Sequence, residues 1–150
     1  SWIISSRGKN FVLTMLKLHS QRDSLNVVFD QIGAPTSAKE LAKVCWRILD
    51  VKNDKKLPPI LHWSDSGVTS WYDLSEAIGE IALDLGIIKK RAKVYPIRTK
   101  EYPTLASRPK FSLLDLQKTS EHLDLTPNHW RKNLRNILIE YKNLKKFKDI

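Results

Sequence analysis

Apolar and polar positions switch between two periods along this chain, and the switches mark its elements. Trp2 to Ile4 is a short apolar run that ends in the polar turn Ser5-Ser-Arg-Gly-Lys-Asn10. From Phe11 the apolar residues Phe11, Val12, Met15, Leu16 and Leu18 crowd one side, which predicts a helix to about Gln21. Asn10 stands where an N-cap belongs, with Gly8 just before it. Leu25 to Phe29, rich in Val and Leu, reads as a strand. Ser37-Ala-Lys-Glu40 spells a capping box, in which the Ser side chain takes the N3 amide and Glu40 reaches back. Leu41, Val44, Cys45, Ile48 and Leu49 follow at helical spacing.

The second half continues in the same manner. Asp50 to Pro59 is a Lys-rich loop, and Ile60 to Trp63 is expected to be a strand leading into the turn Ser64-Asp-Ser-Gly67. Ser70-Trp-Tyr-Asp73 is a second capping box. It opens a helix carrying Leu74, Ala77, Ile78, Ile81, Ala82 and Leu85, which Gly86 ends. Lys93 to Ile97 is a predicted strand, Glu101 to Lys110 a loop, and Phe111 to Leu123 is partly helical. Thr126-Pro127 supplies an N-cap and N1 proline for a last helix carrying Trp130, Leu134, Ile137, Leu138, Tyr141 and Leu144. Helices alternate with short strands, so residues 1–150 are expected to form one small mixed α/β domain with four to five helices.

Composition narrows the partners. The 26 Lys and Arg against 16 Asp and Glu give a net charge of +10, which attracts anions without choosing among nucleic acid, diphosphates and anionic lipid. A single cysteine, Cys45, excludes an internal disulfide and a multi-thiolate metal site, and fits a reducing compartment. No apolar run approaches the roughly 20 residues of a membrane span, so a cytoplasmic protein is expected. The chain begins Ser1-Trp-Ile-Ile, without an initiator Met, and reads as a fragment of a larger protein.

Most catalytic signatures are missing. The five glycines lie at 8, 33, 67, 79 and 86, too far apart for a dinucleotide loop or a P-loop. His19, His62, His122 and His129 share no metal-ligand spacing, so no metal site is expected. Tyr141 and Lys145 match the Tyr-x-x-x-Lys spacing of short-chain dehydrogenases, but Tyr141 continues an apolar stripe and Lys is abundant there. Cys45 lies beside Val44 and Ile48 and is read as a buried, inert thiol. The basic stretch Lys142 to Lys148 reads as a solvated helix face, since no aromatic interleaving accompanies it.

Two places suit an anion. Arg7-Gly-Lys-Asn10 sets cations before a helix N-terminus, and Ser107-Arg-Pro-Lys110 is a second cationic loop. Val27 to Ala42 poses a sharper question. It joins a strand to a helix through Gln31, Gly33, Pro35 and Thr36, more polar groups than a plain turn needs.

These segments, in this order, resemble the C-terminal half of dTDP-4-dehydrorhamnose reductases, which are extended short-chain dehydrogenase/reductases. The residues that carry the likeness are Ser1 to Ile4, Asn10 to Val12, Val27 to Thr36 (V-V-x-D-Q-x-G-x-P-T), Thr69 to Tyr72, Glu101 to Thr104 and Arg108 to Asp115 (R-P-x-x-S-x-L-D). The resemblance implies the substrate-binding part of an enzyme that reduces dTDP-4-dehydro-L-rhamnose to dTDP-L-rhamnose with NADPH. It assigns NADPH and the catalytic Tyr and Lys to an N-terminal Rossmann part outside this chain, which therefore holds no catalytic residue. A dTDP-sugar and that Rossmann part are the implied partners; a homodimer is a further candidate, and no nucleic-acid or membrane partner is expected. The resemblance puts Trp2 against the sugar or the cofactor edge and Asn10 near the diphosphate. It puts Gln31, Gly33, Pro35 and Thr36 on the nucleotide side and Arg108 at a phosphate or the pocket's closing edge. Phe111 stands where the family often has Asn, which puts contacts from that position in question. A scaffold domain reusing the fold and a basic nucleic-acid-binding module are the competing readings.

Overall fold

Side-chain caps set the starts of the first three helices, and Gly86 ends the third. The structure, a computed structural model, describes residues 1–51 and 56–146. Strand β1 (Ile3–Ile4) leads through the polar turn to α1 (Phe11–Gln21), whose N-cap is Asn10: its side chain accepts from the Leu13 amide. Then come β2 (Ser24–Val28), β3 (Ile32–Gly33), β4 (Thr36–Ser37) and α2 (Ala38–Val51). After them run β5 (Thr69–Ser70), α3 (Trp71–Asp84), β6 (Lys93–Ile97), a 3-10 turn (Thr99–Glu101), α4 (Gln117–Leu123) and α5 (Trp130–Lys146). Five helices and short strands make a mixed α/β fold, as expected.

The strands form three pairs among the described residues. β1 pairs with β4 and β2 with β6, both parallel, while β3 pairs with β5 antiparallel. In β2–β6, Leu25 faces Val94 and Val28 faces Ile97. The Phe29 amide extends that ladder by one rung, donating to the Ile97 carbonyl at 3.0 Å.

The main core packs α1, α3 and α5 against β2 and β6 through Val12, Leu16, Leu25, Ile78, Val94 and Leu134, all buried. α3 is its centre: Leu74, Ala77, Ile78, Ile81 and Ala82 are each 5% exposed or less. Ser70 and Asp73 close the box at its start reciprocally, a cap worth about 1 kcal/mol. At its end Gly86 adopts φ +65 and the Ile87 amide returns to the Ala82 carbonyl. Gly79 sits in the middle of α3 because α1 comes close there: a Cβ would stand 2.8 Å from the His19 ring. A smaller cluster joins Val44, Val51, Trp63 and Leu123.

Several expectations fail. Ile60 to Trp63 is not a strand but an irregular segment, with Ile60 exposed and Trp63 alone turned into the small cluster. The last helix starts at Trp130 rather than after Thr126-Pro127, because the Ser66–His129 bridge holds the chain extended up to that point. Ser37 caps α2, accepting from the Glu40 amide at 3.4 Å, but the Ser37 amide itself goes to the Asp65 carboxylate at 3.2 Å. A buried Asp from a distant loop thus takes the place expected of Glu40. Cys45 is exposed, not buried, and Leu49 with it. The helix carries two apolar stripes, and packing selects Leu41, Val44, Ile48 and Val51 as the inner one. In the Lys-rich loop, residues 52–55 lie outside the described residues, as do residues 147–148 of the basic C-terminal stretch.

Candidate functional site

Between α1, β2 and the strap that follows β6 lies a cleft of about 860 Å³, within the range of small-molecule sites. β2 supplies one wall, with Leu25 to Val28. α1 supplies Phe11, Met15, Leu18 and Arg22; the strap supplies Glu101, Tyr102, Thr104 and Arg108; Gln31 and Trp71 close one end. The walls are therefore aromatic at one place and cationic at others, with few carboxylates. Neither Arg22 nor Arg108 forms an ion pair with a carboxylate among the described residues. A second groove of about 410 Å³ between α2 and α5 mixes both signs of charge, and its Lys43 already pairs with Glu40 at 2.6 Å.

The aromatic end is built from three segments distant in sequence. Trp71, the first residue of α3, stacks on Trp2 with ring centroids 3.6 Å apart and planes 8° from parallel. Phe11, the first residue of α1, tilts against the other side of the arrangement, 4.6 Å from the Trp71 ring. Trp2 holds its position at φ +52, a left-handed conformation that costs a non-glycine residue roughly 1–2 kcal/mol. Gly33 makes room for it, since a Cβ there would lie 2.7 Å from the Trp2 ring and 2.8 Å from the Ser112 hydroxyl.

The linker that posed the question, Asp30 to Thr36, is tied to the rest of the protein at almost every polar atom. Asp30 Oδ1 accepts from both the amide (2.8 Å) and the hydroxyl (2.7 Å) of Thr99. Those hydrogen bonds hold the Asp30 carboxyl below the usual carboxylate range, Thr99 being the main cause. Gln31 donates through Nε2 to the Thr99 hydroxyl at 3.2 Å and accepts at Oε1 from the Trp71 indole at 3.1 Å. Thr36 donates its hydroxyl to the Ser1 carbonyl at 2.6 Å and its amide to the Trp2 carbonyl at 3.0 Å. Pro35 is fully buried beneath.

Of the residues singled out in the sequence, Gln31 and Arg108 lie on the cleft and Trp2 lies one ring behind its wall. Gly33, Pro35 and Thr36 are buried and lie outside its lining, Gly33 against the Trp2 ring. Asn10 stands apart from the lining. Its amide donates to the carbonyls of Ser5 (3.0 Å) and Arg7 (3.1 Å) while its oxygen caps α1, so all of its polar atoms are engaged locally. Tyr141 packs on the main core, and the Lys145 ammonium lies 5.2 Å from the centre of its ring, a cation–π pair on α5. Sequence reasoning missed Trp71, Thr99, Asp30 and Arg22. Trp71 carried a signal, an aromatic at the first position of a capped helix; nothing in the pattern links Thr99 to Asp30.

Two buried titratable groups lie away from the cleft. His19 donates through Nε2 to the Ser75 carbonyl at 3.0 Å, and burial lowers its pKa. Asp65 is pushed up by burial, against the opposing pull of Asn133 and the Ser37 amide. Among the described residues no cluster of His, Cys, Asp and Glu is arranged to hold a metal ion.

Comparison with known proteins follows the same outline. The profile of the RmlD substrate binding domain matches residues 1–143. A dTDP-4-dehydrorhamnose reductase of Aggregatibacter actinomycetemcomitans is 38% identical over 139 residues, 91% of this chain and 47% of its own length. The spore coat polysaccharide biosynthesis protein SpsK of Bacillus subtilis is 38% identical over 141 residues, 93% of this chain and 45% of its own. Among solved structures, a dTDP-4-dehydrorhamnose reductase ortholog of Clostridium acetobutylicum superimposes with a TM-score of 0.77 at 33% identity, over 95% of this chain and 47% of that one. The Bacillus anthracis reductase, in complex with NADP, gives 0.76 at 30% identity, over 93% and 46%. The chain spans about half the length of the curated relatives it matches.

Proposed function

Because this chain belongs to the RmlD substrate-binding domain family, we propose that it forms the nucleotide-sugar-binding part of a reductase converting dTDP-4-dehydro-L-rhamnose to dTDP-L-rhamnose. The observation that carries the reading is the cleft. It joins an aromatic end (Phe11 and Trp71, with Trp2 stacked behind) to two cations, Arg22 and Arg108, that have no ion pair among the described residues. Flat apolar rings beside guanidinium groups are what a base or sugar linked to a diphosphate requires: surface for the ring, bidentate donors for the phosphates. Arg108, on the exposed strap, meets the diphosphate and closes the cleft's edge. Trp2 acts through Trp71, and Gly33, Pro35 and Thr36 hold the wall that faces the nucleotide.

The hydride in such a reaction would come from NADPH. The residues of this chain do not fit its dinucleotide phosphates. The glycines at positive φ, Gly8, Gly67 and Gly86, lie in three separate turns, so no two of them share a phosphate cradle. In this reading the cofactor and the catalytic Tyr and Lys belong to an N-terminal Rossmann part, and the 150-residue chain alone turns over no substrate. A second copy of the chain is a further partner. Among the described residues no helix is long and apolar enough to cross a membrane; a cytoplasmic location belongs to the same reading.

The test is titration with dTDP-L-rhamnose by calorimetry, beside Arg108→Ala and a DNA duplex. Saturable binding that Arg108→Ala weakens about tenfold or more is expected, since a hydrogen bond to a charged group contributes about 1.5–3 kcal/mol. Full affinity in the Arg108→Ala protein would remove the diphosphate from this cleft. Tighter, steeply salt-dependent binding to the duplex would favour a nucleic-acid module instead.

A further inference from the structure

We propose that Gln31 is a positioning residue that locks the aromatic end of the cleft to the strap carrying Arg108, rather than a contact of the ligand itself. The inference rests on the reading of the cleft as the nucleotide-sugar site and adds how that site is held in shape.

Donor chemistry fixes the direction of the whole relay. An indole N–H only donates, so the Gln31 oxygen must face Trp71, 3.1 Å away. Its amide nitrogen then faces the Thr99 hydroxyl at 3.2 Å and can only donate to it. The Thr99 hydroxyl, having accepted, gives its own proton to the Asp30 carboxylate at 2.7 Å. Trp71, Gln31, Thr99 and Asp30 thus form a one-way chain in which each bond polarises the next. Gln31 has no side-chain nitrogen or oxygen outside that chain, and at 7% exposure it is buried. Both polar atoms are thus committed to the relay, and little of the side chain is left open to the cleft.

The relay joins through side chains two parts that the β3 backbone also brings together, Ile32 pairing with Ser70 and donating to the Lys110 carbonyl. On one side is the Trp71 ring, stacked on Trp2. On the other is the strap from Ile97 to Lys110, whose residues 101–110 are all exposed. The strap's ends are fastened by backbone: Phe29 donates to the Ile97 carbonyl at 3.0 Å and Ile32 to the Lys110 carbonyl at 2.8 Å. Between those anchors, the side-chain ties from Thr99 to Asp30 and Gln31 set where the exposed arm begins, and with it the reach of Arg108. The two neighbouring residues of the Asp-Gln pair therefore each take one side of the same hydroxyl.

Both ends of the relay can be read in the protein without ligand. NMR measures solvent exchange of the Trp71 indole N–H, and limited trypsin digestion measures cutting after Arg98, Lys100 and Lys110. Gln31→Leu, which removes both partners, is expected to speed both by about tenfold, the equivalent of one lost hydrogen bond. Gln31→Glu is nearly isosteric and near neutral pH keeps the acceptor for Trp71 while losing the donor to Thr99. It should leave the indole protected and loosen the strap alone, a split that mere filling of space would not produce. Thr99→Ser should cut like the parent and Thr99→Val should cut faster, which tests the strap arm should Gln31→Leu fail to fold. With dTDP-L-rhamnose, Gln31→Leu should bind about tenfold more weakly. Unchanged exchange and cutting in Gln31→Leu, or a loosened strap with undiminished binding, would overturn the proposal. If the relay breaks as described but the parent protein does not bind dTDP-L-rhamnose, the positioning stands and the assignment of the ligand falls.

Discussion

The indole of Trp2 stacks on the indole of Trp71 at 3.6 Å, and Gly33 is the residue that lets it do so. The ring lies where a Cβ at position 33 would project, so the glycine is required by close approach and not by its own backbone. Gly33→Ala is expected to lower stability by about 1–3 kcal/mol, the cost of forcing an atom into a packed site. Near-UV circular dichroism should report the disturbed tryptophan pair, and urea melts the lost stability. An unaltered spectrum with full stability would mean that the stack is not held from beneath.

His19 makes stability depend on pH. Burial disfavours the charged ring and holds its pKa below the ordinary value, whereas the unfolded chain binds a proton at this residue near pH 6.5. The unfolded state therefore takes up more protons as pH falls. Stability from this residue is full above about pH 7, declines as pH drops through about 6.5, and levels off once the native ring also protonates. The slope is at most about 1.4 kcal/mol per pH unit. Urea melts between pH 7.5 and 5, set as experimental conditions, should show this decline in the parent and a flatter profile in His19→Gln.

Gly79 carries the opposite face of the same contact. Alanine in mid-helix usually gains about 1 kcal/mol over glycine, yet here a Cβ would meet the His19 ring at 2.8 Å. Gly79→Ala is expected to be destabilising on balance, with a lower Tm than the parent. A raised Tm would show that the ring yields freely.

Asp65 replaces part of a helix cap from a distance, at the cost of a buried carboxylate. Its Oδ2 accepts the Ser37 amide at 3.2 Å, and burial raises its pKa. A raised carboxyl disfavours the fold progressively as pH rises above the unfolded value near 3.9. Asp65→Asn keeps an acceptor for Ser37 without the charge and should change neutral-pH stability by less than about 1 kcal/mol. Asp65→Ala leaves the Ser37 amide unpartnered and should cost about 1–3 kcal/mol. Equal melting of the two variants would deny the cap its role.

Cys45 faces outward beside Trp46, which is 68% exposed. A disulfide-exchange reagent should therefore label the folded protein fully, without denaturant. Labelling only after unfolding would place the thiol inside.

How far the sequence reached is clearest on α2 and at the Val27–Ala42 linker. Local signals were sufficient at Asn10 with Leu13, Ser70 with Asp73 and Gly86 behind α3, each within one turn, but at Ser37 the distant Asp65 takes the amide expected of Glu40. Hydrophobic period alone marked the buried face of α3, because that helix has one apolar stripe. On α2 two stripes compete, and the same period fits Leu41, Val44, Ile48 and Val51 as well as Ala42, Cys45, Trp46 and Leu49. Only the position of Trp63 and Leu123 in space chooses between them.

The order of motifs along the chain identified the family and singled out Trp2, Asn10, Gln31, Gly33, Pro35, Thr36 and Arg108, of which Gln31 and Arg108 line the cleft. It left the polar excess of the linker unexplained. That excess is answered by contacts across 68 and 69 residues to Thr99, 40 residues to Trp71 and 35 residues to Ser1. Periodicity and capping are local because backbone geometry repeats every few residues. The donors that satisfy Asp30, Gln31 and Thr36 come from elsewhere because a buried polar atom needs a partner wherever the fold brings one, and no spacing in the sequence records which that will be.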